Sequence, residues 1–286
     1  MAETTLADLI SDVADAFGKY RKGTVSSDSS TTTIIDDDNL YEPDDYWIGN
    51  YVYILTDAGG SGAAPEGEER PITDYDQGDN KATVSPAFTA SVSEDDVYEI
   101  LPMRRDQITR AVNQAIKHAD VWFAETTNTS AVSLDTEDYD YSLPSDCVQM
   151  QQMWVRDDTD EKWMEVSPNQ WRVENGVLYF DNFDGLSDGH TIRLEYLSRP
   201  STMSDDTDTL GLGEPEEREC VDFIVNYALY WLHRNAASQA PKADTFRPHL
   251  TLAEYQKQES DKIKQGAGHR RPAGRVHGAF PPRSLG

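Results

Sequence analysis

Between Arg104 and Glu125 the apolar side chains recur three and four residues apart: Ile108, Ala111, Val112, Ala115, Ile116, Ala119, Trp122 and Phe123. That spacing puts them on one face of a helix. Arg105, Gln107, Arg110, Asn113, Gln114 and Lys117 take the opposite face. No glycine or proline interrupts the run, and Pro102 lies just upstream, where a helix is free to begin. The pattern predicts a long helix over 104–125 that acts as a spine, with short β-like segments before and after it.

Three further stretches carry helical periodicity. Residues 4–18 place Leu6, Leu9, Ile10, Val13 and Phe17 on a stripe, with Thr4 or Thr5 as cap, Asp8 in the first turn and Gly18 as the stop. So short a helix is marginal alone, and its stripe calls for a docking surface, most simply the apolar face of the spine. A second pattern opens at Pro215 and runs to about Arg234, with a stripe of Val221, Ile224, Val225, Ala228, Trp231 and Leu232. The third, 248–265, has a thin stripe of Leu252, Tyr255 and Ile263. It ends at Gly266, with Lys262 and Lys264 in its last turn.

The β-like segments are short, β-branched or aromatic, and bounded by Gly, Asp, Asn or Pro. Before the spine they lie at 32–36, 51–56, 70–75, 82–85 and 97–101, preceded by a Ser/Thr-rich stretch over 23–34 that reads as a linker entering a strand. Tyr51, Tyr53 and Leu55 alternate with Val52 and Ile54, so both faces of that strand are apolar, as in a small barrel or sandwich. After the spine, strands are expected at 148–156, 162–166, 177–180 and 191–197. Turns at 157–160, Asn175-Gly176 and Asp188-Gly189 connect them, and Trp163, Trp171, Tyr179, Phe180 and Tyr196 supply a bulky core.

The fold class read from these patterns is α+β. A small helical bundle is formed by 1–23 and 102–130 and completed by 214–265. A β-barrel or sandwich domain, 24–101, is inserted into it, and a second, smaller antiparallel β element spans 131–200. The remainder, 266–286, is an extended arm.

Charge sharpens the picture. The 286 residues include 25 basic and 52 acidic side chains, for a formal net charge of −27. Such a balance argues against a general nucleic-acid-binding surface. It fits either an acidic face for a basic partner or adaptation to high salt; the even spread of acids along the chain favours a halophilic setting. The last stretch inverts the sign. Residues 266–286 hold Arg270, Arg271, Arg275 and Arg283, with His269 and His277, and no acid. The 21 basic residues elsewhere leave the rest of the chain at −31 and this stretch at +4. Its Gly and Pro content forbids a regular helix. An extended arm that orders on an acidic partner is expected, with Phe280 and Leu285 as apolar anchors.

Chemistry is sparse. Cys147 and Cys220 have no metal-ligand or redox spacing and read as core residues. The histidines fall in no HExxH, HxH or nucleophile-elbow arrangement, and no phosphate-binding glycine loop is present. No cofactor, metal or enzymatic activity is expected. Asp206, Asp208, Gly211, Glu214 and Glu217 fall at positions 1, 3, 6, 9 and 12 of a calcium loop, but Leu210 breaks the template at position 5 and no helix enters it. Acids that favour the N-terminus of the next helix are the simpler reading. No basic-then-apolar leader and no apolar run near the roughly 20 residues of a membrane span is present, so a soluble protein made and used inside a cell or a particle is expected.

The order of the motifs carries a resemblance. The opening helix, Gly23-Thr24, the strand near Thr31–Asp36, Tyr46-Trp47-Ile48-Gly49, Arg70-Pro71-Ile72-Thr73, Val84-Ser85-Pro86-Ala87-Phe88, Tyr98-Glu99-Ile100 and Ile108 through Ile116 follow one another in a recurring pattern. Over about 1–240 the chain resembles the head–tail adaptor (connector, neck) proteins of tailed viruses, in versions with an inserted β domain. Tyr141-Ser142-Leu143-Pro144-Ser145-Asp146, Leu194-Glu195-Tyr196 and the helix at Tyr227–Leu232 are also similar to tail and gatekeeper adaptors. The resemblance implies a virion protein at the head–tail junction, in a homo-oligomeric ring of twelve under the portal protein. Genomic DNA would pass through the ring without sequence-specific binding, and a stopper or tail-completion protein would sit below. It implies portal docking by the C-terminal arm, hence by Arg270, Arg271, Arg275, Phe280, Arg283 and Leu285. The alternative is another tail or neck component: a stopper, tail-tube or host-binding protein.

Overall fold

The computed structural model describes residues 3–27, 29–60, 62–129, 134–156, 162–212, 216–239 and 243–268. They form a mixed α+β architecture of four helices and three antiparallel sheets, with three separate apolar cores.

The first core belongs to the helices. Helix α1, Leu6–Phe17, starts with a capping box: Thr5 Oγ1 accepts the Asp8 amide and the Asp8 carboxylate accepts the Thr5 amide. Gly18, at φ +107°, closes it. Helix α2, Arg105–His118, buries Ile108, Ala111, Val112, Ala115 and Ile116. Helix α3, Glu216–Gln239, and helix α4, Ala243–Gly268, pack against each other, and α1 packs on both α2 and α3. The segment before α3, residues 199–212, also feeds this core through Met203, Leu210 and Leu212. Asn113, on the nominally polar face of α2, pins that segment. Its Nδ2 donates to the Met203 carbonyl and its Oδ1 accepts the Met203 amide, both at 2.8 Å.

The expected spine is shorter than its apolar periodicity. Helix α2 stops at His118, and after a turn the chain becomes strand β7, Ala124–Asn128. Trp122 keeps helical spacing yet sits on the turn, buried against Phe223 with ring centroids 5.0 Å apart. Burial set the spacing there, while the β-branched run through Thr126 and Thr127 set the strand. The α3 stripe is also rotated. Cys220, Phe223, Ile224, Ala228, Leu229 and Leu232 are buried, whereas Val221, Val225 and Trp231 are partly buried. A helix flanked by α1 and α2 on one side and α4 on the other needs a wider apolar face than one stripe. Gly266 does not end α4, so Lys262 and Lys264 lie before its last turn.

The second core lies under a six-stranded sheet. Its strands are β1 Arg21–Thr24, β2 Thr33–Ile35, β3 Tyr51–Thr56, β4 Glu69–Asp76, β5 Lys81–Val84 and β6 Val97–Leu101, in the order β1-β6-β3-β4-β5-β2. Strand β1 starts before the stretch 23–34 expected as a linker and ends inside it. The sheet curves into a half-barrel, and its two edges approach where the Ser26 amide donates to the Ile35 carbonyl at 3.0 Å. The doubly apolar β3 divides its faces: Val52 and Ile54 fill the β core, while Tyr53 packs against the helical core. Its second apolar face serves the helices, not the far wall of a barrel.

The third core lies between two smaller sheets. Strands β9 Cys147–Arg156, β10 Trp163–Glu165 and β13 Thr191–Ser198 join β7 in the order β10-β9-β13-β7. Strands β8 Asp140–Ser142, β11 Trp171–Glu174 and β12 Val177–Phe180 form the other, in the order β11-β12-β8. Asn175 and Gly176, at φ 53° and 78°, make the β11–β12 turn, the backbone that an Asn-Gly hairpin requires. Trp171, Phe180 and Tyr196 are core residues as expected. Trp163 and Tyr179 are not: Trp163 stacks under Arg156 and Arg193, and Tyr179 under Arg172.

Candidate functional site

The described polar chemistry concentrates where the helices meet the half-barrel. Arg105, the first residue of α2, is the hub. Its guanidinium stacks over the Tyr53 ring of β3 at 4.5 Å. Its Nη1 donates to Asp206 Oδ1 at 2.7 Å, and its Nε lies 3.7 Å from Glu99 Oε2 on β6. Glu99 is only 1% exposed. Its other oxygen accepts the Tyr20 hydroxyl at 3.0 Å, and that hydroxyl lies 3.0 Å from Ser11 Oγ on α1. One network therefore joins α1, β3, β6, α2 and the segment before α3.

The network explains its own electrostatics. Burial pulls the Arg105 guanidinium down, but the hydrogen bond and charge of Asp206 outweigh it, with Tyr53 and Glu99 adding, and its pKa is raised. Burial, reinforced by the Glu99 charge, pushes the Tyr20 phenol well above its ordinary range. Arg105 stays a cation and Tyr20 a neutral donor, so the cluster is a fixed charge arrangement and not an acid–base relay.

A second link lies at the start of α2. Arg104, in the cap position, makes no side-chain cap. Instead Glu69, on β4, accepts the Arg105 amide at 2.5 Å and Arg104 Nε at 3.1 Å. A carboxylate from the half-barrel thus satisfies an orphan donor at the positive end of the helix. Beside it, Tyr53, Arg105, Asp106, Thr109 and Arg110 line an open cleft.

At the opposite end of α2, Lys264 of α4 reaches over. Its Nζ pairs with Asp120 Oδ1 at 2.6 Å and donates to the His118 carbonyl at 2.9 Å. This ties the last turns of α4 to the carbonyl end of α2. The chain then continues past Gly268 into the basic stretch. The docking residues expected from the sequence, Arg270, Arg271, Arg275, Phe280, Arg283 and Leu285, lie outside the described residues.

The acids of the calcium-loop pattern are engaged separately. Asp206 holds Arg105. Asp208 accepts the Ser204 and Asp205 amides, which lowers its pKa. Glu217 is buried at the start of α3 and accepts the Thr4 amide; Glu214 lies outside the described residues. Among the described residues no group of three or more His, Cys, Asp or Glu is placed to hold a metal ion. Both cysteines are free, and burial pushes the Cys147 thiol up to about 11.

The hub was not visible in the sequence, because Tyr20, Tyr53, Glu99, Arg105 and Asp206 come from five separate segments. The one local signal is Glu99, a lone acid inside the apolar run Val97–Leu101. Chemically the arrangement clamps, setting the half-barrel and the helices at a defined angle.

Residues 81–276 match the model of the SU10 adaptor protein family. The match begins at β5, takes in α2, both smaller sheets, α3 and α4, and runs past Gly268 to include Arg270, Arg271 and Arg275. No curated protein matches the chain.

Proposed function

The chain belongs to the SU10 adaptor protein family, a family of phage structural adaptors, and on that premise we propose that it is the head–tail adaptor of a tailed-virus particle. In this reading copies of the chain form a ring of twelve beneath the portal, and genomic DNA passes through without sequence-specific contacts. The stretch beyond Gly268 docks on the portal, and a stopper or tail-completion protein binds the opposite side. The helical bundle forms the body of the ring. The half-barrel is an inserted domain held by the Arg105 network and projects from it.

The observation that carries the reading is the extent of the family match, which joins α2–α4 to the basic residues that follow α4. The charge distribution supports it. A wall rich in carboxylates repels phosphates and lets DNA slide, while a short +4 segment on a −31 body is an address for a separate acidic protein surface. In a halophilic host salt screens the body's self-repulsion.

Mass photometry of the full chain in molar salt, with and without its portal protein, tests this. A monomer that becomes a ring only with portal supports the adaptor role. A species indifferent to portal overturns it in favour of another tail or neck part.

A further inference from the structure

One partly buried pair of titratable groups lies apart from the polar hub, where α4 is held to α3. His233 of α3 is 6% exposed. Its Nδ1 lies 3.2 Å from Nδ1 of His249 on α4. The ring centroids are 5.5 Å apart with a 32° tilt, a separation close to the nitrogen gap plus the two ring radii. The nitrogens therefore meet nearly head-on. On its other side His233 stacks on Phe17 of α1, with centroids 4.5 Å apart and planes at 19°. It is thus held between an apolar ring and one other imidazole.

The gap between the two nitrogens has room for one proton. In the neutral pair one Nδ1–H donates to the lone pair of the other. One proton placed at Nε2 of His249 leaves the Nδ1–H···Nδ1 bond in place and makes it charge-assisted. A second proton has to take the lone pair of His233. That leaves two N–H groups and two positive charges facing each other across 3.2 Å.

Among the described residues the surroundings do not absorb that charge. From α1 the facing group is Phe17, and from α4 it is His249. Next to His233 on α3, Arg234 is turned to the Tyr230 hydroxyl at 2.9 Å. The acids of the α1–α3 seam, Asp12 and Asp222, lie toward the other end of α3 and act on each other. Burial first and the His249 charge second push His233 down to about 4.

We infer that His233 and His249 form a proton-counting latch, which keeps α4 docked on α3 with zero or one added proton and lets α4 go with two. Because α4 leads into the basic stretch beyond Gly268, the latch controls where that stretch starts. This does not depend on what the stretch binds.

Amide hydrogen exchange on the full chain between pH 7 and pH 4.5 tests the latch, with wild type compared to His249→Gln. Glutamine can still donate to His233 but takes no proton. After correction for intrinsic exchange, protection of α4 relative to α1 and α2 should fall by about tenfold or more in wild type and by clearly less in the variant, which keeps the burial of His233 but not the facing charge. Equal behaviour of the two chains overturns the latch. An independent readout is NMR of the imidazole nitrogens in wild type. It should show the His233 ring taking up its proton only near about 4. Two independent steps near the ordinary value would overturn the proposal even if the variant failed to fold.

Discussion

The hydroxyl of Tyr98 donates to Oδ2 of Asp36 at 2.8 Å in the interior of the half-barrel, with both residues fully buried. Asp36 also accepts the backbone amides of Asp38 and Asn39, both at 3.0 Å, and the Asn39 side-chain amide at 2.9 Å. A buried carboxylate is tolerated when its lone pairs are filled. Tyr98→Phe removes one donor and leaves the carboxylate under-satisfied. The expected loss is about 1–3 kcal/mol in urea unfolding, concentrated in the half-barrel by hydrogen exchange. An unchanged midpoint would mean that the local amides suffice.

The same pair fixes a glycine. Gly23 on β1 is the cross-strand partner of Tyr98 on β6. A Cβ there would sit 2.2 Å from Asp36 Oδ2 and 2.7 Å from the Tyr98 hydroxyl. Both are held by the hydrogen bond just described, so neither yields cheaply. Gly23→Ala should destabilise by about 1–3 kcal/mol. In combination with Tyr98→Phe, which removes one of the three obstructing atoms and leaves the ring carbon at 2.9 Å, it should cost somewhat less than the sum of the single changes. Strict additivity would sink the steric account.

Local periodicity made several elements readable. Strands β3, β6 and β12 have the expected limits, and α1 starts at the expected cap. What stayed hidden was non-local. Trp122 obeys helical spacing because the helical core needs an indole there, not because the chain is helical. Strand β1 carries no apolar alternation, since it is an edge strand with Gly23 facing Tyr98. The Arg105 hub draws on segments up to 186 residues apart, from Tyr20 to Asp206; no spacing rule spans that. The +4 charge of the C-terminal stretch, in contrast, is a property of composition and was readable at once.

Arg105 offers the clearest energetic test of the joint. Arg105→Ala leaves Glu99 buried without its cation, and breaking one side of such a pair costs about 3–5 kcal/mol. Adding Glu99→Gln removes the stranded charge. The double variant should recover part of the loss, giving a coupling of about 1 kcal/mol or more in a double-mutant cycle. Arg105→Lys should fare only slightly better than alanine, because an ammonium cannot stack on Tyr53 while donating to Asp206. Zero coupling would place the worth of Arg105 in packing alone.

His233 also has a global signature. Its folded pKa, about 4, is depressed below the ordinary value of 6.5. The fold therefore prefers the neutral ring, and the associated stability is fully present above pH 6.5. It is lost as pH falls from there toward 4, because the unfolded chain takes up the proton first. The full span corresponds to at most about 3 kcal/mol. His233→Gln should flatten this part of the pH–stability curve and leave the carboxylate-driven decline at lower pH. Parallel curves for both chains between pH 6.5 and pH 5 would count against a neutral buried His233.

Truncation after Gly268 separates the body from the basic stretch. The contacts that hold α4, including Lys264 with Asp120 and the His118 carbonyl, lie before the cut and remain. Unfolding free energy should stay within about 0.5 kcal/mol, as for surface changes away from packed features. Attachment should not survive. Under the proposed docking, removing Arg270, Arg271, Arg275 and Arg283 takes away the positive charge proposed to meet the portal, along with the proposed apolar anchors Phe280 and Leu285. Co-sedimentation with DNA-filled, tail-less heads reads this directly. The truncated chain should remain in the supernatant at salt concentrations where the full chain pellets. Reversing the four arginines to glutamate in the full-length chain should give the same result, which would assign attachment to charge and not to length. A truncated chain that still pellets with heads would move the docking surface onto the helices themselves.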